Sequence, residues 1–131
     1  MEIHELYQLF LQSTGITTDT RKIEKGQLYF ALNGGNFNGN TFASKALEQG
    51  ASYAVIDEVE FKINDNCILV DDVLNTLQQL GNYHLNQVKP KAVIGITGSN
   101  GKTTTKELVH VVLNTTFKTH YTKGNLNNHI G

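Results

Sequence analysis

Hydrophobic positions in the first part of the chain recur at two spacings. Apolar side chains at helical spacing predict a helix over residues 2–13: Ile3, Leu6, Tyr7, Phe10 and Leu11. Short apolar runs bounded by polar turns predict buried strands at 28–32, 53–57 and 67–70. A helix over 42–49 fits between a cap at Asn40 or Thr41 and a stop at Gly50. A longer helix starts at a cap on Asp71 or Asp72 and is broken by "KPK", residues 89–91.

The pattern after "KPK" predicts a second unit. It comprises a strand at 92–97, a glycine turn, a helix at about 102–115, a strand at 117–122 and a polar loop to the end. Between the first and second helices lies "NGGNFNGN" (33–40), whose glycines and asparagines predict a loop. The alternation of helices and strands predicts an α/β fold, with one domain over 1–88 and a second beginning at 89 and running to 131.

Composition narrows the class of protein. The 131 residues carry a formal net charge of −1 and one cysteine, Cys67. A near-neutral chain does not indicate a nucleic-acid partner, and a lone cysteine excludes an internal disulfide framework. No apolar run has the length of a membrane span, and the N-terminus is not typical of a signal peptide. We therefore expect a soluble cytoplasmic protein.

The chemistry is concentrated in "GITGSNGKTTTKE", residues 95–107. Glycines let successive backbone N–H groups point at one anion, and a following helix start adds its positive dipole end. A lysine then reaches the β- and γ-phosphates, and the next hydroxyl ligates Mg²⁺. The predicted nucleotide-binding residues are Gly98, Ser99, Asn100, Gly101, Lys102, Thr103 and Thr104, with Lys102 catalytic and Thr103 the metal ligand. Ile96 stands where a strict phosphate loop has glycine, so a glycine-rich turn with a surface lysine is the alternative.

This turn resembles the ATP-binding turn of the Mur ligases, which use the variant T-G-[ST]-x-G-K-T. The N-terminal part is similar to the first domain of the same family. Asp19, Thr20 and Arg21 stand at its D-S-R. "GQLYFALNG" (26–34) stands at G-x-L-F-x-A-L-x-G, and "NGN" (38–40) at D-G-H. "TKGNLNNHIG" resembles the loop after the second strand of the family's ATPase domain.

The resemblance implies both a fold and a function. The fold is a small N-terminal UDP-binding α/β domain, followed by the first strand–P-loop–helix–strand of the central ATPase domain. The function is that of an ATP- and Mg²⁺-dependent amide ligase of peptidoglycan synthesis, acting through an acyl phosphate. "TTKE" (104–107) favours the member that adds D-alanyl-D-alanine to UDP-N-acetylmuramoyl-tripeptide. The alternatives are the member that adds the third peptide residue and a non-catalytic module that binds a UDP-sugar or nucleotide.

The predicted substrate-binding residues are Thr18, Asp19, Thr20, Arg21, Asn40, Asn125, Asn127 and Asn128. Arg21 is the only arginine of the chain, and its guanidinium suits a carboxylate or phosphate. Pairing of Arg21 with Asp19 in a turn is an equal alternative. Asn38 and Asn40 replace the aspartate and histidine of the family pattern, which alters any contact made there.

The resemblance also implies that this sequence is the beginning of a longer, three-domain ligase. The expected consequence is that the chain alone lacks ligase activity. With at most two strands in residues 92–131, apolar side chains there would stay partly exposed, and self-association through this segment is the expected outcome.

Overall fold

The computed structural model describes residues 1–124. The chain divides into two compact units, Met1–Lys89 and Pro90–Gly131. The first unit contains a parallel sheet with helices on both faces, which confirms the predicted α/β class. In the described residues, no helix is long and apolar enough to cross a bilayer.

The elements of the first unit follow the hydrophobic pattern closely. Helix α1 spans Ile3–Gln12, α2 spans Ala43–Glu48 and α3 spans Val73–Val88. The sheet consists of β1 (Ile16–Thr17), β2 (Leu28–Phe30), β5 (Tyr53–Ile56) and β6 (Cys67–Leu69), in the order β1-β2-β5-β6 with every pair parallel. A separate antiparallel hairpin joins β3 (Asn33–Gly34) to β4 (Phe37–Asn38), inside the segment predicted to be a loop.

The sheet separates two apolar layers because side chains alternate along each strand. Leu28, Phe30 and Val55 face the layer that contains α1 and α3. Tyr29, Ala31 and other small residues face the layer of α2. Cys67 lies in this second layer as a buried free thiol. Since all four strands are parallel, their carboxyl ends share one edge of the sheet, where ligands bind in open α/β folds.

The helix caps show where local sequence reasoning succeeded and where it failed. The Asp72 carboxylate accepts a hydrogen bond from the Asn75 N–H at 2.7 Å, as predicted for α3. The predicted cap of α2 at Asn40 or Thr41 is wrong. A 3₁₀ turn, Gly39–Phe42, precedes α2, and the capping oxygen belongs to Asn38, which accepts from the Asn40 N–H at 2.8 Å.

In the second unit, α4 spans Lys102–Leu113, which confirms the predicted helix after the glycine turn. The strands predicted at 92–97 and 117–122 are not formed within residues 90–124. A strand exists only when its backbone pairs with a neighbour, and neither segment has a ladder partner there. Their apolar side chains are correspondingly exposed, with Val93 and Ile94 at 72% and 59%.

Candidate functional site

The glycine turn between Thr97 and α4 has the backbone geometry that the motif requires. Gly98 has φ +149° and Gly101 has φ +76°, values that residues with a side chain rarely adopt. A Cβ added at Gly101 would meet no atom within 4 Å, so backbone conformation rather than crowding favours glycine there. The two glycines therefore turn the chain sharply into the start of a helix.

The start of α4 is open to an anion. Its N-cap residue is Gly101, which has no side chain to cap the helix. The first N–H groups of a helix lack intrahelical acceptors, and the helix dipole places partial positive charge there. Ser99, Asn100, Thr103 and Thr104 are all exposed around this start. The predicted nucleotide-binding residues thus lie together in one turn, which offers backbone and hydroxyl donors to a phosphate.

Lys102, the first residue of α4, folds back over the turn. Its Nζ donates to the Gly98 carbonyl oxygen at 2.5 Å. This contact holds the ammonium above the loop, where it can exchange a carbonyl for a phosphate oxygen. A cation at a helix N-terminus is electrostatically unfavourable without an anion, so the arrangement fits phosphate binding.

Lys106 has a role that the sequence analysis missed. One turn after Lys102 on the same face of α4, its ammonium donates to the carbonyls of Thr122 and Gly124. It also lies 5.4 Å from the centre of the Tyr121 ring. The ring of His110 stacks on that of Tyr121 with centroids 4.0 Å apart, so His110 is packed. These contacts hold the end of the described chain along α4.

The Thr18–Arg21 segment follows β1 at the carboxyl edge of the sheet. Asp19 caps a 3₁₀ turn, Thr20–Lys22, and pairs with Arg21 through two contacts, Nε–Oδ1 at 2.9 Å and Nη2–Oδ2 at 2.8 Å. This pairing is the turn arrangement that the sequence left as an alternative. The hydrogen bonds from Arg21 hold the pKa of the Asp19 carboxyl well below its usual range. The Arg21 side chain is still 83% exposed, so pairing with Asp19 leaves it accessible to an anion.

Asn40 occupies a different kind of position, with its side chain fully buried. Its Nδ2 donates to Asp57 Oδ1 at 2.8 Å, and its Oδ1 accepts from the Asp57 backbone N–H at 3.0 Å. Weaker contacts reach Asn33 and Glu58, both at 3.3 Å. Asn40 therefore joins the β3–β4 hairpin to the end of β5, and a contact between its side chain and substrate stays a prediction.

Tyr29 and Gly39 complete this joint. The Tyr29 hydroxyl donates to the Gly39 carbonyl at 3.0 Å, and burial, with the nearby Asp19 charge, raises the pKa of Tyr29 to about 12. A Cβ on Gly39 would lie 2.5 Å from the Leu32 carbonyl oxygen, so glycine is required by close packing. The β3–β4 hairpin is therefore seated against the core at the same edge as the Asp19 turn.

The contacts of the described residues do not test the other predicted residues. Asn125, Asn127 and Asn128 fall outside the described residues. Within residues 1–124, no group of three or more histidine, cysteine, aspartate or glutamate side chains is arranged to hold a metal ion. Thr103 is thus a metal-ligand candidate on its sequence position alone.

Comparisons with known proteins agree with this geometry. A model described as the Mur ligase family, catalytic domain, matches residues 12–89, and one described as the Mur ligase middle domain matches residues 96–131. UDP-N-acetylmuramoyl-tripeptide–D-alanyl-D-alanine ligase of Bacillus subtilis is 47% identical over 119 residues, covering 89% of this chain and 26% of that protein. The ligase of the same name from Escherichia coli is 38% identical, covering 88% of this chain and 25% of that protein.

Solved structures lead to the same family. MurF from Acinetobacter baumannii superposes with a TM-score of 0.80 at 31% identity, covering 98% of this chain and 30% of that one. MurF from Thermotoga maritima in complex with ADP gives a TM-score of 0.74 at 30% identity, covering 90% and 27%. The chain spans about a quarter of the length of the curated relatives it matches. With a family model matching more than half of its residues, the chain belongs to the Mur ligase family.

Proposed function

We propose that this chain forms the UDP-muropeptide-binding unit and the start of the ATP-binding unit of a ligase. The ligase adds D-alanyl-D-alanine to UDP-N-acetylmuramoyl-tripeptide in peptidoglycan synthesis. The observation that carries the proposal is the glycine turn that opens into α4, with Lys102 folded over it. The names of the similar proteins from Bacillus subtilis and Escherichia coli support the choice of reaction.

The second unit would hold the nucleotide. Backbone N–H groups between Gly98 and Thr104 bind its phosphates, and Lys102 neutralises their charge. Thr103, exposed in the first turn of α4, is the proposed Mg²⁺ ligand. When bound, Mg-ATP supplies the phosphoryl group that activates a carboxylate for attack by an amine. The similarity to MurF from Thermotoga maritima, which was solved in complex with ADP, supports a nucleotide at this turn.

The first unit would hold the UDP end of the substrate. Thr18, Thr20 and Arg21 lie at the carboxyl edge of the sheet and offer hydroxyl and guanidinium donors, with Asp19 orienting Arg21. We propose that Asn40 acts by positioning the hairpin. Asn125, Asn127 and Asn128 remain proposed as substrate contacts on the resemblance alone.

The ligase that adds the third peptide residue is the second candidate. It is favoured by the similarity to UDP-N-acetylmuramoyl-L-alanyl-D-glutamate–2,6-diaminopimelate ligase of Aquifex aeolicus, 38% identical over 100 residues, covering 76% of this chain and 20% of that protein. A binding module without catalysis is the third.

A pair of chimeras separates the candidates. Residues 1–131 replace the matching part of the Bacillus subtilis ligase in one chimera and of the Aquifex aeolicus ligase in the other. We expect phosphate release that requires both UDP-N-acetylmuramoyl-tripeptide and D-alanyl-D-alanine in the first chimera only. Phosphate release confined to the second chimera would favour the ligase that adds the third peptide residue. Two folded but inactive chimeras that bind UDP would favour the binding module. The 131-residue chain alone should release no phosphate.

Two further features belong to the proposal. A cytoplasmic location suits an enzyme that consumes ATP and carries a free cysteine.

Self-association of the isolated chain is proposed from the exposed apolar side chains of the second unit, Val93, Ile94, Leu108, Val111 and Val112. Light scattering should show a dimer or larger species, and deletion of residues 90–131 should return a monomer. A monomeric intact chain would reject this part.

A further inference from the structure

Phe37 is an exposed aromatic side chain that packs on a second aromatic ring. It lies in β4 with 51% of its surface exposed. Its ring stacks nearly parallel on Phe42, with centroids 5.3 Å apart and planes at 15°. Phe42 in turn packs against the α2 layer of the core. Phe37 thus exposes an aromatic surface to solvent while its ring is held in place by Phe42.

The hairpin that carries Phe37 is fixed at both ends. Asn33 Oδ1 accepts from the Gly39 N–H at 3.1 Å, and Asn33 Nδ2 donates to Asp57 Oδ1 at 3.2 Å. Asn38 Nδ2 donates to Glu58 Oε1 at 2.9 Å. With buried Asn40 between them, these bonds tie the hairpin to the end of β5. A platform held in this way loses little conformational entropy when a ligand stacks on it.

The turn next to Phe37 is uncrowded, and half of the Phe37 surface is exposed. A Cβ on Gly35 would meet no atom within 4 Å, and one on Gly34 would meet only the Phe37 Cβ, at 4.0 Å. The hairpin follows β2, and the Thr18–Arg21 segment follows β1, the parallel neighbour of β2. The exposed ring and the exposed guanidinium therefore lie at the same edge of the sheet. A nucleoside diphosphate needs both: a flat apolar surface for its base and a cation for its phosphates.

We propose that Phe37 is the stacking platform for the nucleobase of the nucleotide bound by the first unit. This inference rests on the proposed function, which places the UDP end of the substrate there. Every base has a π face, so the ring contributes affinity without reading base identity. If Phe37 serves only to cover Phe42, its replacement changes stability and leaves nucleotide affinity unaltered.

The test is a ligand-observed NMR titration of the 131-residue chain with two probes, UDP and inorganic pyrophosphate. Phe37→Leu keeps an apolar side chain over Phe42 but removes the π face. It should weaken UDP binding about 5- to 100-fold and leave pyrophosphate binding unchanged. Phe37→Trp should retain the wild-type affinity for UDP. The matched control is Phe117→Leu, since Phe117 is similarly exposed at 49% but lies in the second unit, and its UDP affinity should not change.

A second readout is the chemical shift of the base protons of UDP. Stacking on an aromatic ring should move them upfield in wild type and in Phe37→Trp, but not in Phe37→Leu. If wild type and Phe37→Leu bind UDP equally, while Arg21→Ala weakens binding, the platform is overturned and the UDP site stands. If Phe37→Trp weakens UDP binding as much as Phe37→Leu does, the loss comes from altered packing and not from lost stacking. The platform is then again overturned. If wild type does not bind UDP, the proposed substrate site fails as well.

Discussion

The starts of helices α3 and α4 have opposite electrostatic surroundings. The start of α3 is closed by two carboxylates. Asp72 accepts from the Asn75 N–H at 2.7 Å, and Asp57 Oδ2 accepts from the Val73 N–H at 3.2 Å. The start of α4 is capped by Gly101, and the charged side chain folded over it is that of Lys102. Negative charge stabilises a helix N-terminus and positive charge destabilises it.

This difference separates a helix start that the fold itself neutralises from the one proposed to bind phosphate. The Asp57 carboxylate serves α3, Asn33 and Asn40 at once, so the fold itself supplies the anion. At α4 the cap residue Gly101 has no side chain and Lys102 adds positive charge, which is why we propose that a ligand supplies the anion there. Substitutions at either start therefore test this difference.

Asp57→Ala should have the largest effect on stability. It removes the acceptor for the buried Asn40 amide, for Asn33 and for the Val73 N–H together. We expect the free energy of unfolding in urea, followed by the near-ultraviolet circular dichroism of the tyrosines, to fall by about 2–4 kcal/mol. Asp65→Ala is the matched control at an exposed acid, and it should change stability by less than about 0.5 kcal/mol. Equal effects of the two substitutions would show that the hydrogen bonds accepted by Asp57 contribute little to stability.

Lys102→Ala should have the largest effect on binding. Loss of one charge-assisted contact to phosphate should weaken Mg-ADP binding roughly 10- to 100-fold in an NMR titration. Lys118→Ala makes the same change in net charge at an exposed position in the same unit and serves as the control. A similar loss in both variants would indicate a general charge effect and would remove Lys102 from the site.

Asp72→Ala tests the closed helix start on its own. Loss of an N-cap carboxylate costs about 1 kcal/mol of stability, which a lower midpoint in urea would report. Asp71→Ala, at the adjacent exposed acid, should leave the midpoint nearly unchanged. Mg-ADP affinity should not change in either variant, because α3 belongs to the first unit. A loss of Mg-ADP affinity in Asp72→Ala would contradict the separation of the two helix starts.

Alkaline pH should destabilise the first unit. The pKa of Tyr29 is raised to about 12 from its ordinary value of 10.0, mainly by burial. The neutral hydroxyl therefore contributes stability fully below pH 10, and this contribution is lost as the pH rises toward 12. Tyrosinate absorbance should show a component that ionises near pH 12, and Tyr29→Phe should remove that late component. A titration in which Tyr29→Phe leaves the late component in place would assign it to another residue.

Local patterns predicted much of this structure. The apolar spacing of α1 and α3 and the runs that form β2, β5 and β6 are properties of short segments, and so are the cap at Asp72 and the glycine turn. Each of these depends on residues within a few positions of each other, where propensity and periodicity are informative.

The failures depend on partners distant in sequence. The Asn40–Asp57 contact joins residues 17 apart. Because of this contact, the Asn40 side chain is buried and does not cap α2 as predicted. The predicted strands at 92–97 and 117–122 have suitable side chains but no ladder partner in the described residues, and backbone pairing decides whether a strand forms. The pairing of Arg21 with Asp19 is local, and it stayed open for another reason: the sequence permits both a turn and an anion site.

The most direct test follows the backbone amides of both helix starts during one titration with Mg-ADP. We expect saturable shifts in the amides of residues 98–104, none in those of residues 72–75, and loss of the shifts in Lys102→Ala. Saturable shifts at both helix starts, no shifts at 98–104, or shifts there that persist in Lys102→Ala would contradict the claim that the open start of α4 is the phosphate site.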